Sequence, residues 1–372
     1  MTPGSYEDFA TQLRDCAERG LTARVVGSGT KSGWGRPAPD PDIELSTTAL
    51  DQIVEHNEGD LTAVLQAGVP LARAQEKFAS ANQMLSLDPP GDRATIGGVV
   101  ATGDSGPLRH RYGAARDLVL GVTVALSDGT VARAGSKVIK NVAGYDLAKL
   151  FSGSFGTLGA ILEVVVRLHP VRPTASAGGR GDDPATVAAA ASALAHSRLE
   201  AQALDVAWRG GRGGVLARFA GAEAVPQAQA AERLLAEQGL EAQALSDDEG
   251  AWEAQRRAQR GDLVVRVSSV QTQLADVLRA ADRLGGSVVG RAALGISWLS
   301  LPADAGAEAI RELRAELAPS ACVVLDAPAE LRAEVDPWGL GESTGALGLM
   351  RSTKARFDPQ GVCSPGVFAG GI

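Results

Sequence analysis

The chain has 372 residues, long enough for two or three packed domains, and its formal net charge is −8. The negative charge excludes a general nucleic-acid-binding surface, and an aromatic content of 4% argues against stacking of single-stranded nucleic acid. Three widely spaced cysteines form no CxxC pair, so the chain encodes neither an iron–sulfur cluster nor a zinc ribbon.

The first third of the chain alternates short helices and strands. The apolar periodicity and the capping residues predict helices at 5–19, 46–57 and 70–82, and strands at 22–26, 42–45 and 61–69. A long loop rich in glycine and proline follows at 88–116. The segment 117–135 is predicted to form a hairpin that turns at Asp128-Gly129, before a helix at 145–151 and a buried strand at 160–168.

The second half of the chain has a different composition. The stretch "HPVRPTASAGGRGDDP" has the composition of a linker, which we place at 173–184. Residues 185–245 are predicted to form helix, strand, strand, helix and strand. Residues 262–325 follow the order strand, helix, strand, strand, helix, strand, which is that of a ferredoxin-like unit. We therefore expect an α+β cap domain over 185–335 and a separate C-terminal segment over 350–372.

The stretch "RVVGSGTKSGWG" (24–35) has the composition of a phosphate-binding loop. A P-loop is excluded because Lys31 follows Thr30 rather than a glycine. A Rossmann loop is excluded because "WGRPAPDPD" places three prolines where the helix should begin. A glycine loop between two strands, binding phosphate through backbone N–H groups, agrees with the flanking residues. An ordinary surface turn explains this stretch equally well when it is taken alone.

Three further segments decide between these two interpretations. They are "DPPGDRATIGGVVATGDSGPLRHRYGAARDLVLG" (88–121), "KVIKNVAGYDLAKLFSGSFGTLGAILEVVVRLHP" (137–170) and "ARFDPQGVCSPG" (355–366). With the opening loop, they resemble the FAD-binding domain of the vanillyl-alcohol oxidase / para-cresol methylhydroxylase (PCMH) family. The sequences of these segments are most similar to the glycolate oxidase and D-lactate dehydrogenase branch. Within this branch they are most similar to the FAD-binding E subunits of bacterial glycolate oxidases.

The resemblance implies an α+β chain. A two-subdomain PCMH-type FAD-binding domain would occupy 1–172, a ferredoxin-like antiparallel cap would follow, and the C-terminal segment would return to the FAD-binding domain. It also implies the cofactor-binding residues Gly27, Ser28, Gly29, Thr30, Lys31, Ser32, Gly33, Pro90, Thr95, Ile96, Gly97, Gly98, Thr102, Ser105, Gly106, Asn141, Val142, Ala143, Gly144, Tyr145, Asp146, Thr157, Gly159 and Ile161.

Several of these positions have simpler explanations. Gly159 also suits an ordinary turn, and Asp146 also suits a helix cap. Many members of the family carry a histidine in the first loop that bonds covalently to the flavin. Thr30 occupies that place here, so we predict noncovalent FAD.

The catalytic relatives in this branch use a metal held by histidines of the cap. This chain has four histidines, none beyond His196 and none spaced as metal ligands, so we predict no metal site. The candidate catalytic residues are Arg109, Arg111 and Tyr112, whose loop equally suits cofactor or interface contacts.

The resemblance therefore implies an accessory or electron-relaying FAD subunit of a heteromeric glycolate oxidase, which converts glycolate to glyoxylate. Its partners would be a catalytic FAD subunit and an iron–sulfur subunit, and a small 2-hydroxy acid would be oxidised by the complex. The alternatives are a self-sufficient flavoenzyme acting on another small hydroxy acid or alcohol, and a structural subunit without cofactor.

The location of the protein follows from the same observations. The N-terminus lacks the basic start and apolar core of a signal peptide, and no apolar run reaches 18 residues. We expect a cytoplasmic protein with reduced thiols and no membrane span, which reaches the inner membrane only through partner subunits.

Overall fold

The computed structural model describes residues 1–137, 146–245, 248–340 and 345–372. The chain begins with helix α1 (Tyr6–Arg19), which the Ser5 hydroxyl caps by accepting from the backbone N–H of Asp8. Strand β1 (Ala23–Val26) then pairs in parallel with β2 (Ile43–Ser46). The glycine-rich loop leads from one strand to the other without forming a helix. The predicted connection between two strands is confirmed.

A five-stranded antiparallel sheet follows. Its strands are β3 (Ile53–Asn57), β4 (Thr62–Gln66), β6 (Val119–Ala125), β7 (Val131–Gly135) and β8 (Ala160–Arg167), and a short pair is formed by β5 (Gln83–Met84) and β9 (His169–Pro170). The order in the sheet is β3-β4-β8-β6-β7. Strand β8 is central, which explains its nearly continuous apolar sequence.

Five helices complete this part of the chain. They are α2 (Leu71–Ala79), α3 (Ile96–Thr102), α4 (Arg109–Tyr112), α5 (Ala115–Leu118) and α6 (Leu147–Phe151). The predicted helices at 70–82 and 145–151 and the predicted hairpin at 117–135 are confirmed within a few residues. In the hairpin, Gly129 has φ +83°, which a glycine adopts without strain.

The helix predicted at 46–57 is wrong. Ile53 pairs with Leu65 across β3 and β4, and Val54, counted as part of an apolar stripe, is 52% exposed. A short stretch with three apolar residues does not distinguish helix from strand, and pairing with the neighbouring strand decides here. His56 consequently lies on a strand, where its Nε2 is 2.9 Å from Oε1 of Gln83.

The second half of the chain consists of two β-α-β-β-α-β units. The first is β10 (Thr174–Gly181), α7 (Pro184–Ala195), β11 (Ala201–Arg209), β12 (Arg212–Ala220), α8 (Ala224–Glu237) and β13 (Glu241–Leu245). After α9 (Glu249–Arg257), the second is β14 (Val264–Ser268), α10 (Leu274–Arg283), β15 (Ser287–Arg291), β16 (Ile296–Ser300), α11 (Gly306–Glu316) and β17 (Ala321–Asp326). The predicted ferredoxin-like order over 262–325 is confirmed.

The two units form one antiparallel sheet of eight strands. Its order is β13-β10-β12-β11-β15-β16-β14-β17, so the units meet where β11 pairs with β15. Helices α7, α8, α10 and α11 cover one face of this sheet and enclose the largest apolar core of the chain. The α+β fold class with an antiparallel cap is confirmed.

The structure differs from the prediction of a linker at 173–184. Strand β10 lies inside the eight-stranded sheet, paired with both β12 and β13. Its glycines serve close packing rather than flexibility: a Cβ at Gly179 would lie 3.0 Å from the Leu240 side chain, and a Cβ at Gly214 would lie 2.1 Å from the Gly179 carbonyl oxygen. The first unit is therefore a complete copy of the second in strand order.

The chain ends by returning to its N-terminal part. After α12 (Ala329–Glu334) and α13 (Gly345–Phe357), the backbone passes alongside β1. The Ala23 N–H donates to the Val362 carbonyl oxygen, and the Ser364 N–H donates to the Ala23 carbonyl oxygen, each at 2.8 Å. This return agrees with the predicted architecture. Within the described ranges, no helix is long and apolar enough to span a bilayer.

Candidate cofactor site

A cavity of about 300 Å³ lies between the β1–β2 loop, helix α3, the start of β8, helix α12 and the C-terminal segment. The predicted site residues that line it are Gly27, Ser28, Gly29, Thr30, Lys31, Ser32, Thr95, Gly97, Gly98, Thr102, Gly159 and Ile161. Two of its walls, residues 27–32 of the β1–β2 loop and helix α3 with Thr95, thus lie more than sixty residues apart in sequence. Six of its lining residues are glycines, and its enclosed shape suits a small-molecule ligand.

The glycine-rich loop presents unused donors to this cavity. The backbone N–H groups of Ser28, Gly29 and Thr30 donate to no acceptor in the part of the chain that the structure describes. Gly29 has φ +73°, a conformation that favours glycine. Gly27 packs so closely on the next wall that a Cβ would lie 2.1 Å from Oγ1 of Thr95. Free N–H groups in a tight loop form an anion-binding surface.

Lys31 does not serve as a free cation. Its Nζ lies 3.2 Å from Oδ2 of Asp104, and the two side chains are 5% and 3% exposed. Burial raises the pKa of Asp104, and the Lys31 ammonium opposes that shift. The lysine therefore neutralises an internal carboxylate and joins the loop to the 104–106 segment.

Positive charge at the cavity comes from arginines instead. Arg24, Arg36 and Arg332 line it, and no aspartate or glutamate is among its lining residues in the described ranges. Arg332 comes from α12 of the second half of the chain, and its Nη1 donates to the Gly35 carbonyl oxygen at 3.2 Å. Burial lowers the pKa of the Arg332 guanidinium. The cavity is thus suited to an anionic ligand.

At two further positions of the predicted set, Gly97 and Gly106, close contacts leave no room for a side chain. A Cβ at Gly97 would lie 2.6 Å from Cβ of Ala67, and a Cβ at Gly106 would lie 1.8 Å from the Asp88 carbonyl oxygen. The Asp88 carboxylate accepts from the Leu108 N–H at 3.1 Å, and burial raises its pKa to about 7. The 104–108 segment is therefore held in one conformation.

The cap holds both cofactor loops by their carbonyl oxygens. Arg260 donates to the Thr30 carbonyl oxygen at 3.5 Å, and Gln259 donates to that of Ser105 at 3.0 Å. Arg291 donates to the carbonyl oxygen of Gly106 at 3.0 Å. These contacts connect residues 150 or more positions apart, so the site takes its shape from both halves of the chain.

A fully buried ion pair lies behind these contacts. Nη1 of Arg291 is 2.7 Å from Oδ2 of Asp205, and neither side chain is exposed to solvent. Burial raises the pKa of Asp205 to about 6, against the lowering effect of Arg291. The guanidinium lies 4.8 Å from the Trp298 ring, and its Nη2 donates to Gln259. With all of these partners, Arg291 holds the cap against the first half of the chain in one arrangement.

The remaining predicted cofactor residues lie elsewhere. Asn141, Val142, Ala143, Gly144 and Tyr145 lie outside the described residues. Gly33, Pro90, Ile96, Ser105, Gly106, Asp146 and Thr157 do not line the cavity.

Three of these residues have structural contacts. Ile96 is buried in the core of the first half. The Asp146 carboxylate pairs with Lys149. Thr157 accepts at its carbonyl oxygen from Lys354, at 2.7 Å.

The candidate catalytic residues lie on α4, outside the cavity lining. Arg111 forms an exposed ion pair with Glu200 at 3.2 Å, and the Tyr112 hydroxyl accepts from Gln202 at 3.1 Å. Arg109 donates to Ser105 Oγ at 3.2 Å. The contacts of Arg111 and Tyr112 join the two halves of the same chain, and the predicted substrate, cofactor and partner-subunit roles of this loop stay predictions.

Sequence reasoning missed several lining residues. Trp34, Phe155, Arg332, Ser364 and Val367 line the cavity without belonging to the predicted set. The C-terminal motif that contains Cys363, Ser364, Pro365 and Gly366 could have indicated Ser364. Its backbone has φ +43°. Arg332 lies in a six-residue helix without a recognisable motif, so tertiary structure alone brings it to the site.

The fold and the cavity define an α+β protein with a site for an anionic small molecule. Residues 1–135 match the family model described as an FAD binding domain. The predicted resemblance to an FAD-binding family is thereby confirmed, and FAD is the cofactor that this similarity supports.

Individual relatives extend this comparison. The chain is 39% identical to glycolate oxidase subunit GlcE of Escherichia coli (strain K12) over 154 residues, 41% of this chain and 43% of that protein. It is 34% identical to glycolate oxidase subunit GlcD of Bacillus subtilis (strain 168) over 171 residues, 46% of this chain and 36% of that protein. The chain thus aligns with less than half the length of these relatives.

A solved structure of an alkyldihydroxyacetonephosphate synthase has the same fold. It superposes with a TM-score of 0.72 at 16% identity, covering 98% of this chain and 75% of that chain. The likeness therefore includes the cap as well as the FAD-binding domain.

The residues of the cavity fit FAD. The free N–H groups of Ser28, Gly29 and Thr30 and the guanidinium of Arg332 would hold its diphosphate. The Cβ positions of Gly27 and Gly97 are blocked by Thr95 and Ala67, so neither position accepts a larger residue without moving a wall of the cavity. Bound FAD supplies a carrier that accepts and releases electrons.

Proposed function

We propose that this chain is an FAD-binding subunit of a heteromeric enzyme that oxidises glycolate to glyoxylate. Its role is accessory or electron-relaying, and a separate FAD subunit oxidises the substrate. An iron–sulfur subunit takes the electrons onward. The relatives named as glycolate oxidase subunits support the hydroxy-acid chemistry, and the cavity residues support the cofactor.

One observation carries the accessory role: the cap face that meets the FAD-binding domain packs against the Trp34 side chain. Trp34 packs there against Val264, Val289, Trp298 and Leu325.

Several polar groups of this interface are also occupied. The Trp34 indole donates to Asp326 at 2.8 Å. The Arg291 guanidinium is bound to Asp205, Gly106 and Gln259. Oxidation of a hydroxy acid needs a base for the hydroxyl proton and a cation for the carboxylate. Groups engaged in this way stabilise the interface instead, which supports an accessory role.

A second candidate is a self-sufficient oxidoreductase acting on another small hydroxy acid or alcohol. One observation favours it: Nε of Arg266 donates to no acceptor among the residues that the structure describes. Arg266 lies on β14, on the same face as Val264, and burial and the nearby Arg109 lower its pKa. A buried guanidinium with an unused N–H donor at this interface suits a carboxylate ligand.

Anaerobic flavin reduction separates the two candidates. The purified chain, loaded with FAD, is mixed with glycolate while the visible flavin band is recorded, and dithionite is added afterwards. We expect the band to persist with glycolate and to disappear with dithionite. Bleaching by glycolate in the isolated chain would overturn the accessory role, and bleaching by another hydroxy acid would favour the second candidate. Addition of the co-expressed partner subunits should make glycolate effective.

A further inference from the structure

The side chain of Lys354 joins the C-terminal segment to the segment that precedes β8. Lys354 lies in the last turn of α13, and its Nζ donates to the carbonyl oxygens of Thr157 and Cys363, at 2.7 and 2.8 Å. Its third contact is the carboxylate of Asp358, one helical turn further along the chain. An ammonium group has three N–H donors, so all of them are engaged within the chain.

Asp358 binds the same segment next to this lysine. Its Oδ1 accepts from the Val362 N–H at 3.0 Å, and its Oδ2 accepts from the Cys363 N–H at 2.8 Å. The Lys354 side chain is 13% exposed, and that of Asp358 is fully buried. Burial acts to raise the pKa of Asp358, but the Lys354 ammonium and the Cys363 N–H hold this pKa below its ordinary value. The two side chains therefore form a charged pair inside the fold.

This charged pair supplies the hydrogen bonds that β1 does not. Strand β1 binds the neighbours of Cys363, through the Val362 carbonyl oxygen and the Ser364 N–H. The N–H and the carbonyl oxygen of Cys363 itself bind Asp358 and Lys354 instead. Because buried backbone groups need partners, the pair and β1 together satisfy this stretch of the C-terminal segment and hold it in place.

The carbonyl oxygens of Cys363 and Thr157 lie next to lining residues of the cofactor cavity. Ser364, which lines the cavity, directly follows Cys363. Gly156, which also lines it, directly precedes Thr157. The two wall segments approach each other closely, since a Cβ at Gly156 would lie 3.5 Å from Oγ of Ser364. One ammonium group therefore connects two walls of the cavity.

Two lining residues beside these carbonyl oxygens have an unusual backbone conformation. Phe155 has φ +56° and Ser364 has φ +43°. Residues with a side chain rarely adopt a positive φ, and they keep it only where surrounding contacts impose it. The described ranges contain two further non-glycine residues of this kind, Leu61 and Asn82, and neither lines the cavity. The strained backbone at the cavity thus lies within two residues of the carbonyl oxygens that Lys354 binds.

We propose that Lys354 is a positioning residue of the FAD site. Its ammonium group fixes the two wall segments relative to each other and keeps Phe155 and Ser364 in the conformation that shapes the cavity. Because all three of its N–H donors are engaged, Lys354 acts through these walls and does not bind the cofactor itself. The proposal rests on the assignment of this cavity to FAD, and it is independent of the substrate and of the accessory role.

Titration with FAD tests this role. Lys354→Met removes the ammonium group, and the double variant Lys354→Met/Asp358→Asn also removes the carboxylate charge that would otherwise stay buried without its partner. We expect both variants to bind FAD about tenfold more weakly, because the walls are no longer held in the binding conformation. The visible circular dichroism of the bound flavin should also differ from that of the wild type. If Lys354→Met does not fold, the double variant decides.

Val277→Ala is the matched control for a general loss of stability. Val277 is buried in the helix-covered core of the cap and does not line the cavity. This variant should have a lower unfolding temperature, with the Kd for FAD and the flavin spectrum of the wild type. Wild-type values of both quantities in the folded double variant, or an equal loss of affinity in Val277→Ala, would overturn the proposal. Wild-type protein that binds no FAD would overturn the cofactor assignment, and the proposal with it.

A double-mutant cycle tests whether Lys354 acts through the wall at Ser364. Glycine adopts a positive φ without strain but does not hold it, so Ser364→Gly loosens this wall. We expect Ser364→Gly to weaken FAD binding in the wild-type background, and to do so less in the Lys354→Met/Asp358→Asn background, where the wall is already loose. An equal fold-change of the Kd in the two backgrounds would mean that Lys354 does not act through this wall, and the proposal would be wrong.

Discussion

Trp34 and Asp326 are joined across the boundary between the FAD-binding domain and the cap. The indole Nε1 of Trp34 donates to Oδ1 of Asp326 at 2.8 Å. Arg260 donates to both carboxylate oxygens, at 2.9 and 2.7 Å, and its guanidinium lies 5.0 Å from the Trp34 ring. A residue 292 positions away thus fixes the end of the glycine-rich loop. Cofactor binding and cap position are therefore coupled.

Asp326→Asn tests this coupling. The substitution removes the charge that neutralises Arg260 and presents an amide N–H₂ where the guanidinium needs an acceptor, which costs about 1–3 kcal/mol. We expect the Kd for FAD, measured by quenching of flavin fluorescence, to rise about tenfold, together with a lower unfolding temperature. Glu334→Gln is the control, since Glu334 forms an exposed ion pair with Arg311. An unchanged Kd would show that the loop holds its shape without the cap.

Gly27 and Gly33 differ in the space around them, although both belong to the same loop. A Cβ at Gly27 would meet Oγ1 of Thr95 at 2.1 Å, whereas a Cβ at Gly33 would meet nothing within 4 Å. Gly27→Ala should therefore separate the two walls of the cavity and weaken FAD binding at least tenfold. Gly33→Ala should bind FAD as the wild type does. Equal titration curves for the two variants would contradict the assignment of Gly27 to the cofactor wall.

Arg332 supplies positive charge to the cavity from the cap. Arg332→Gln keeps a hydrogen-bond donor for the Gly35 carbonyl oxygen and removes the charge. We expect about a tenfold weaker affinity for FAD, equivalent to about 1.4 kcal/mol, and a smaller dependence of the Kd on salt. Arg311→Gln, at an exposed position on α11, should change neither quantity. A salt dependence equal to that of the wild type would exclude Arg332 from the diphosphate site.

The sequence predicts those parts of the fold in which local pattern and tertiary environment agree. The order of elements over 262–325 follows from periodicity because each element is amphipathic or buried over its full length. The glycine-rich loop is identified because prolines after Trp34 exclude a helix. Both are local properties of the chain.

Other parts depend on contacts that no local pattern contains. The glycines of β10 have the composition of a linker, and their packing against Leu240 and β12 becomes visible only in the sheet. Lys31 has the position of a phosphate ligand, but Asp104, 73 residues later, neutralises it. Arg332 and Arg260 reach the cofactor loops from the cap, so their roles follow from topology rather than from spacing.

Asp88 gives the structure a pH dependence with a definite sign. Burial raises the pKa of Asp88 to about 7, above the ordinary aspartate value of 3.8. Between these values the folded chain holds a proton that the unfolded chain has released, so the contribution of Asp88 to the free energy of unfolding falls as pH rises from about 4 to about 7. Above that range, the folded chain carries the cost of a buried carboxylate.

Asp88→Asn should therefore change stability in a pH-dependent way. The amide keeps an oxygen for the Leu108 N–H and stays neutral throughout. We expect the unfolding temperature of the variant, relative to the wild type, to increase steadily as the pH is raised from about 5 to about 7. Asp205 is present in both proteins, and its charge further raises the pKa of Asp88 in the wild type. A difference that is constant with pH, or that decreases, would mean that Asp88 is already ionised in the folded chain at pH 5.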